Sequence, residues 1–435
     1  MNAIPVLNRA NRAATGSVCE QRYNEMTTRP ARIALYSHDT MGLGHVRRNI
    51  LLAQSLRAWS LKAVSLVIAG AREAAAFTMP PGVDCLTLPA LSKGGNGRYG
   101  TRHMPIALQE LVTLRAGAIQ AALEAFQPDV FIVDNVPRGA LRELDPTLRA
   151  LSVTGRTRVV LGLRDLIDEP SVVRTEWRRA ANEQAIRDYY DAIWVYGDAR
   201  ICDPRVEYGF GSEISARVQF AGYLDQRARL AFADDGEHTL LDRLALPPGR
   251  LVVGLVGGGQ DGARLADAFT RAALPSDTNA VLVTGPFMPT GMRRDIGRRA
   301  ADNSRLRVLE FVHEPAALLA RADRVVAMGG YGTTCEILSF EKHALIVPRV
   351  KPRREQAIRA ERLAALGLVY TLDPRSVTPD NISAWLAKDL GAPPPARAAL
   401  DFGGLRRVPE LLQALLDGGA PVPCSTFRRT GHALA

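Results

Sequence analysis

The sequence has little that would suit a disulfide-rich or membrane-spanning protein. Its 435 residues include five cysteines, which stand singly and in odd number, so neither a disulfide framework nor a Cys-x-x-Cys zinc site is indicated. No apolar run approaches the roughly 18 to 20 residues that a membrane helix requires. We therefore predict a globular protein without a membrane span. We expect it in the cytoplasm, because free cysteines persist in a reducing compartment.

Acidic residues are outnumbered, since 55 Lys and Arg stand against 45 Asp and Glu and give a formal net charge of +10. This excess favours an anionic partner, and nucleic acid, acidic lipid and phosphorylated small molecules all fit it. Aromatic residues make up only 6% of the chain, and no aromatic stacking, helix-turn-helix or zinc pattern accompanies the charge. We therefore do not predict nucleic-acid binding.

Short apolar segments alternate with longer amphipathic ones, which is the pattern of repeated β-α units in a parallel sheet. The strands predicted for a first series are 32–37, 64–69, 130–134, 159–163, 192–196 and 218–221, with helices at 45–59, 105–126 and 172–190. A second series has strands at 251–256, 280–284, 306–311, 324–328 and 344–348, with helices at 262–273, 315–320, 333–340 and 354–366. The sequence thus predicts an α/β protein with two doubly wound parallel sheets.

Composition shifts divide the chain into five parts. The charged segment 225–250 ends in Leu-Pro-Pro-Gly and is predicted as a linker. It separates Rossmann-like domains at 31–224 and 251–390. Residues 1–30 have no apolar central block and are predicted to be a disordered lead-in rather than a secretory signal. Residues 391–435 form a C-terminal extension with a closing helix predicted at 405–416.

The first of three glycine-rich strand-to-helix junctions spans residues 41–48. Gly42 and Gly44 allow a close backbone approach to phosphate, and His45 falls in the first helical turn, where the helix dipole favours a neutral imidazole that can act as a base. The alternative for His45 is a capping or packing role. Arg47 stands where a dinucleotide fingerprint has its third glycine, so NAD binding is disfavoured.

The other two junctions lie in the second series, at 257–262 and 329–336. The former can wrap a diphosphate with backbone amides but lacks the Lys-Ser/Thr of a P-loop, which disfavours nucleoside triphosphate hydrolysis. In the latter, Thr333 and Thr334 can contact phosphate and Glu336 can accept hydrogen bonds from a ribose diol. The alternative for Glu336 is stabilisation of the helix N-terminus. A separate loop at 92–103, with four glycines and three Lys or Arg, is either an ordinary connection or a flap over an anionic substrate.

Together these loops resemble the MurG-type, family 28, glycosyltransferases with the GT-B fold, in particular a branch of predicted glycosyltransferases with the opening GLGHVRRN, found here at 42–49. The resemblance covers residues 32–389 and is most specific over 311–366. It implies two Rossmann-like domains that face each other across a cleft. The acceptor-side loop would comprise Gly42, Gly44 and Arg47. The implied donor-binding residues are Gly257, Gly258, Gly259, Gln260, Gly262, Phe311, Val312, Gly329, Gly330, Gly332, Thr333, Thr334, Glu336, Glu355 and Gln356.

The resemblance implies inverting, single-displacement transfer of a hexose-type sugar from a nucleoside-diphosphate sugar, UDP by default, to a hydroxyl acceptor. We predict His45 as the general base or an acceptor-positioning group, with Asp134 as the second choice. Backbone amides would hold the leaving diphosphate, so no metal and no cofactor are expected. Arg164 and Asp165 are predicted to form a structural ion pair.

The partner and two other functions stay open at this point. A nucleotide-sugar hydrolase would share the glycine-histidine opening, and a non-catalytic nucleotide-sugar binder would share the donor loops. The resemblance permits a lipid-linked acceptor, in which case the positive face would contact the anionic inner surface of the membrane peripherally.

Overall fold

The computed structural model describes residues 29–418 except 41, 59–61, 95–97, 233–237 and 313. Most of the predicted lead-in and residues 419–435 of the extension lie outside this range. No helix in the described part of the chain is both long and apolar enough to cross a membrane.

Fifteen strands and a larger number of helices alternate along these residues. The strands are β1 Arg32–Ser37, β2 Val64–Ala69, β3 Val83–Thr87, β4 Leu91–Lys93, β5 Tyr99–Thr101, β6 Val130–Asp134, β7 Arg158–Arg164, β8 Ala192–Tyr196, β9 Val218–Phe220, β10 Arg250–Leu255, β11 Thr278–Val283, β12 Leu306–Leu309, β13 Arg324–Ala327, β14 His343–Ile346 and β15 Tyr370–Thr371. The α-helices are Gly44–Ala58, Leu108–Phe126, Asp145–Thr154, Pro170–Ala180, Asn182–Tyr189, Pro204–Glu207, Ser212–Ala216, His238–Arg243, Ala263–Arg271, Thr290–Ala301, Ala316–Arg321, Tyr331–Ser339, Glu355–Ala365, Pro379–Leu386, Ala396–Ala399 and Gly404–Leu416. Short 3-10 helices occupy Arg72–Ala76, Ala140–Arg142, Gln226–Phe232 and Pro374–Ser376.

Two parallel sheets organise the molecule, and the predicted fold class is confirmed. The first has the order β3-β2-β1-β6-β7-β8-β9 and the second the order β12-β11-β10-β13-β14-β15. Strands such as β6 and β8 are buried along their whole length, as sheets covered by helices on both faces require. The strand order reverses beside β1 and beside β10, so a crevice opens at the carboxyl end of each of these strands. The first and second glycine loops follow these two strands.

Local differences from the predicted elements have simple causes. The helix predicted at 172–190 is two helices, because Ala181 adopts a left-handed conformation with φ of 51° between them. The strands β3 and β15 and the helix Thr290–Ala301 were not predicted. The two strands lie at sheet edges and are short or half-exposed, and the helix has only two buried side chains, so none has a clear apolar period.

Contacts across the molecule tie its two halves together. The Tyr331 hydroxyl donates to the carbonyl of Tyr196, 2.7 Å away. A helix at Gly404–Leu416 occupies the region predicted for a closing helix and packs against Gly44–Ala58 of the first half. The segment predicted as a linker contains the 3-10 helix Gln226–Phe232 and the helix His238–Arg243. The chain therefore crosses between the halves twice and fixes the cleft between them.

Candidate active site

A cleft of about 560 Å³ lies where the carboxyl ends of the two sheets face each other. Most of the predicted site residues line it: Gly42, Gly44, His45, Arg47, Gly257, Gly258, Gly259, Gln260, Phe311, Val312, Gly330, Gly332, Thr333, Glu336, Glu355 and Gln356. Four others, Asp134, Gly262, Gly329 and Thr334, are buried immediately behind these walls. Residues far apart in the sequence thus meet in one cavity.

Asp39 shapes the first glycine loop. Its carboxylate accepts hydrogen bonds from the Val46 amide at 3.0 Å, from the Ser37 hydroxyl at 2.6 Å and from the Gly70 amide at 3.1 Å. The bond to Val46 satisfies one of the first-turn amides of the helix Gly44–Ala58, which have no acceptor within the helix. This buried carboxylate, which sequence analysis missed, fixes the loop that carries His45.

His45 and Asp134 form a hydrogen-bonded pair at the end of the first sheet. The Nδ1 atom of His45 lies 2.7 Å from Oδ2 of Asp134, and Arg48 contacts the other carboxylate oxygen. Burial would raise the pKa of Asp134, but the charges of Arg48 and His45 outweigh it and hold that pKa below its usual value. Because Asp134 is ionised, we assign the Nδ1 proton to this bond. The Nε2 atom of His45 is then left as an acceptor.

His38 is a cleft residue that sequence analysis missed. Its ring centroid lies 5.1 Å from that of His45. Burial lowers the pKa of His38 well below its usual value, and the charges of His45, Lys93 and Arg164 lower it further while Asp134 opposes them. His38 is therefore a neutral neighbour of the His45 ring. Its place directly after the central strand β1 was the available signal.

The second glycine loop interlocks with the loop after β11. A Cβ atom on Gly259 would lie 2.1 Å from the carbonyl oxygen of Thr284, and one on Gly285 would lie 2.3 Å from that of Gly257. Gly259 and Gly285 also have φ angles of 88° and 79°, which side chains with a Cβ rarely adopt. Glycine is required here for backbone packing, and the loop is held in one shape beside the helix Ala263–Arg271.

The third loop opens the helix Tyr331–Ser339 opposite the first loop. A Cβ atom on Gly332 would lie 3.8 Å from the Cα atom of Gly44, so the N-terminal ends of two helices from different halves almost touch. The space around Gly42, Gly44 and Gly330 is open, with no atom within 4 Å of an added Cβ. Two helix N-termini that open into one cavity favour an anion in the cavity beside them.

Glu336 lies on this helix and is paired across the cleft. Its Oε1 atom is 3.1 Å from Nη2 of Arg47, which also contacts Glu314 at 2.8 Å. Arg229, from the predicted linker, contacts the other oxygen of Glu314 at 2.6 Å. Burial raises the pKa of Glu336 and Arg47 only partly offsets the rise. Sequence analysis missed Glu314, which directly follows residues 311–313, and Arg229, for which no local signal existed.

Glu355 and Gln356 are held in place by Arg349. The Arg349 amide donates to Oε1 of Gln356 at 3.0 Å, and its guanidinium contacts Glu355 at 2.7 Å and Asp261 of the second glycine loop at 3.1 Å. This arrangement links the second glycine loop to Glu355 and Gln356, two of the predicted donor-binding residues.

The predicted ion pair between Arg164 and Asp165 does not form. Asp165 is bound instead by Arg359 from the second half, at 2.7 Å, and accepts a hydrogen bond from the Tyr223 hydroxyl at 2.8 Å. Arg164 contacts the side-chain oxygen of Asn135 and lines the cleft. Neighbouring residues on a strand point to opposite faces, which explains why they take different partners.

The glycine-rich loop at 92–103 is a hairpin at the mouth of the cleft. Its strands β4 and β5 are antiparallel, and residues 95–97 at its tip lie outside the described residues. Arg102 donates to the Thr40 carbonyl at 2.8 Å, and Gln260 donates to the Lys93 carbonyl at 3.1 Å. The hairpin therefore touches both the first and the second glycine loop.

Comparison with known proteins gives a family match in the second half of the chain. Residues 254–398 match the glycosyltransferase family 28 C-terminal domain. A protein of Rubrobacter xylanophilus, named UDP-N-acetylglucosamine–N-acetylmuramyl-(pentapeptide) pyrophosphoryl-undecaprenol N-acetylglucosamine transferase, is 26% identical over 264 residues, which are 58% of this chain and 70% of that protein. Further relatives of the same name match over 35% to 42% of their own length.

Solved structures share the whole fold at low sequence identity. The glycotransferase of kitacinnamycin is 19% identical with a TM-score of 0.58, and the match covers 89% of this chain and all of that one. A UDP-N-acetylglucosamine 2-epimerase has a TM-score of 0.58 at 13% identity, over 90% of this chain and 96% of the epimerase. The chain has the GT-B fold. The family match and the relatives support a nucleotide-sugar glycosyltransferase, whereas the fold alone is shared with an epimerase.

Proposed function

We propose that the protein transfers a hexose-type sugar from a UDP-sugar to a hydroxyl acceptor, with inversion at the anomeric carbon and without a metal ion. The observation that carries this proposal is the His45–Asp134 pair, which faces two glycine loops of the second half in one cleft. A base opposite a diphosphate-type site is the arrangement that glycosyl transfer needs. The opening at residues 42–49 supports placing the protein in the GLGHVRRN branch of family 28.

In this mechanism, Nε2 of His45 accepts the proton of the acceptor hydroxyl as its oxygen attacks the anomeric carbon. The bond between that carbon and the β-phosphate oxygen breaks, and its electron pair leaves with the UDP. The ionised Asp134 keeps the Nδ1 proton in place and stabilises the imidazolium that forms. Because attack and departure occur on opposite faces of the sugar, a single displacement inverts the anomeric configuration.

The departing diphosphate would lie in the cleft beside the two helix N-termini near Gly44 and Gly332 and against the loop 257–262. Backbone amides and helix dipoles that are already oriented stabilise the developing charge without rearrangement. This supports a reaction that needs no metal ion.

Glu336 would bind the ribose hydroxyls of the donor. In this structure its carboxylate contacts Arg47, so donor binding would exchange that contact for hydrogen bonds from ribose. Phe311 and Val312 line the same cavity and would lie beside the base, while His313 falls outside the described residues. Glu355 and Gln356 would contact the sugar.

UDP-N-acetylglucosamine is the first donor to test, because the curated relatives are named for it. Their names also specify an undecaprenol-linked acceptor, so a lipid-linked acceptor and peripheral membrane contact belong to the same proposal.

The test combines binding and turnover with a panel of UDP-, GDP- and dTDP-sugars. We expect the nucleotide sugars of one nucleoside to raise the melting temperature of the wild type. Glu336→Gln should lose this thermal shift. His45→Gln should keep the shift, but its turnover should fall by at least about 100-fold. The matched control is Glu361→Gln, because Glu361 is an exposed residue that does not line the cleft. This control should behave like the wild type.

Four results would contradict the proposal. If millimolar nucleoside diphosphates and their sugars leave the melting temperature unchanged, the donor site is wrong. Rapid release of UDP with water alone would identify a hydrolase, and formation of an epimeric UDP-sugar would identify an epimerase. Full turnover by His45→Gln would exclude His45 as the base.

A further inference from the structure

Eight lysine and arginine side chains line the cleft, and most of them are paired with a carboxylate. The paired ones are Arg47, Arg48, Arg138, Arg142, Arg349 and Arg353. The remaining two, Lys93 and Arg164, have no carboxylate oxygen within 4.0 Å among the residues that the structure describes. Lys93 and Arg164 therefore differ from the other six cations that line the cleft, each of which is paired with a carboxylate.

Lys93 ends the strand β4 of the hairpin at the cleft mouth. Its carbonyl is anchored by Gln260, and its ammonium lies 4.9 Å from the ring centroid of Tyr99. Both Lys93 and Tyr99 line the cleft. A cation over a ring face keeps its N–H donors available for a ligand.

Arg164 ends the strand β7 on the first sheet. Its Nε atom donates to the side-chain oxygen of Asn135 at 3.3 Å, and its backbone amide lies 3.4 Å from the same oxygen. The hydrogen bond from Nε orients the guanidinium. Its two terminal nitrogens have no hydrogen-bond acceptor among the residues that the structure describes. A planar guanidinium held in this way suits an oxyanion.

Lys93, Arg164 and His38 line the same cleft, and the charges of both cations lower the pKa of the His38 imidazole. The His38 ring is 5.1 Å from the ring of His45, the proposed base. Burial lowers the pKa of Lys93 and of Arg164, and the negative charge of Glu355, one of the two proposed sugar-contacting residues, partly offsets this. The two cations thus face the cavity in which the transferred sugar and the acceptor hydroxyl would meet.

We infer that Lys93 and Arg164 form an oxyanion-binding subsite beside His45, and that the transferred sugar or the acceptor carries a carboxylate or phosphate there. This inference rests on the proposed function, because it assigns a substrate feature to that site. It differs from the diphosphate site, which is built from glycine loops and helix N-termini rather than from these side chains. Partly buried cations without a partner are costly, and a bound oxyanion removes that cost.

Calorimetric titration of four proteins tests the subsite: wild type, Lys93→Met, Arg164→Gln and Arg142→Gln. Arg142 is the matched control, because it lines the same cleft but is paired with Asp145 at 3.1 Å. The donor probes are UDP, UDP-glucose and UDP-glucuronate. The acceptor-side probes are glucose, glucuronate and glucose 6-phosphate, each titrated with and without saturating UDP.

We expect UDP and UDP-glucose to bind all four proteins within about 2-fold. At least one acidic probe should bind the wild type about 10-fold more tightly than its neutral counterpart, and Lys93→Met and Arg164→Gln should each lose that advantage while Arg142→Gln keeps it. An advantage of UDP-glucuronate over UDP-glucose would assign the oxyanion to the donor sugar. An advantage of glucuronate or glucose 6-phosphate over glucose would assign it to the acceptor.

Two results would overturn the subsite. The first is that no acidic probe binds better than its neutral counterpart. The second is that both variants weaken UDP itself as much as the acidic probes, which would mean that the two cations serve the diphosphate. If the wild type does not bind UDP at all, the proposed donor site fails, and the acidic probes without UDP still decide whether the subsite exists.

Discussion

Asp165 and Arg359 form a buried ion pair that joins the two halves of the molecule, and its removal should be strongly destabilising. The side chains are 0% and 1% exposed, and Arg359 contacts both carboxylate oxygens at 2.7 to 3.0 Å. The Tyr223 hydroxyl donates to the same carboxylate, and Arg359 donates to the Gly329 carbonyl of the third glycine loop. The pair therefore supports the donor-side wall of the cleft as well as the contact between the halves.

The change Asp165→Asn leaves the guanidinium buried without a countercharge. In the wild type, burial lowers the pKa of Arg359 and Asp165 more than offsets this effect. In the variant that offset is lost, but a guanidinium is not deprotonated in proteins, so the arginine stays charged. Breaking such a pair from one side costs about 3 to 5 kcal/mol. The double variant Asp165→Asn/Arg359→Met removes both charges, so it should be more stable than Asp165→Asn alone by about 1 kcal/mol or more.

Urea denaturation followed by tryptophan fluorescence measures these differences, because Trp177 and Trp194 lie in the first half and Trp385 in the second. Arg406→Gln is the control. It removes a pair with Glu410 whose side chains are 64% and 40% exposed, and it should change the unfolding free energy by about 0.5 kcal/mol or less.

This prediction is contradicted if Asp165→Asn stays within about 1 kcal/mol of the wild type. It would equally fail if the double variant lost the full sum of the two single losses, because the two residues would then act independently.

Four further predictions concern the cleft. The pKa of Glu336 is raised above that of a free glutamate. As the pH drops through this raised pKa, the carboxylate becomes protonated and donor affinity should fall. Isothermal titration of Glu336→Gln should show no such fall in affinity with pH. The pKa of Asp134 is lowered in the folded protein. The ionised carboxylate therefore contributes fully to stability above its unfolded-state pKa of about 3.9, and this contribution is lost as the pH falls toward the folded-state pKa. In acid denaturation, the stability difference between wild type and Asp134→Asn should shrink below about pH 4. Gly259→Ala should lower the unfolding free energy by about 1 to 3 kcal/mol, because of its φ of 88° and the contact with a carbonyl oxygen. Gly330→Ala, at an open position, should keep its melting temperature but lose the thermal shift with UDP, whereas Gly297→Ala on an exposed helix should keep both. A donor shift retained by Gly330→Ala would contradict the placement of the diphosphate.

Sequence analysis was most reliable where a local pattern carries the information. Alternating apolar runs and amphipathic segments predicted the α/β class, because strands buried on both faces need continuous apolar residues. Glycine loops after β1 and β10 predicted the edge of each sheet at which the cleft opens, since the carboxyl ends of parallel strands form the crevice. The short edge strands β3 and β15 had no such pattern and were missed.

Only the tertiary structure decided which of these residues meet. His45 and Asp134 are 89 positions apart, and Arg47 and Glu314 are 267 positions apart, so no local rule could pair them. Asp165 was expected to pair with its sequence neighbour Arg164, but it binds Arg359, which is 194 positions away. Arg164 is thereby left without a carboxylate partner among the described residues. A sequence specifies local conformation through short-range sterics and patterning, whereas the partner of a buried charge depends on which strand ends the folded sheets bring together.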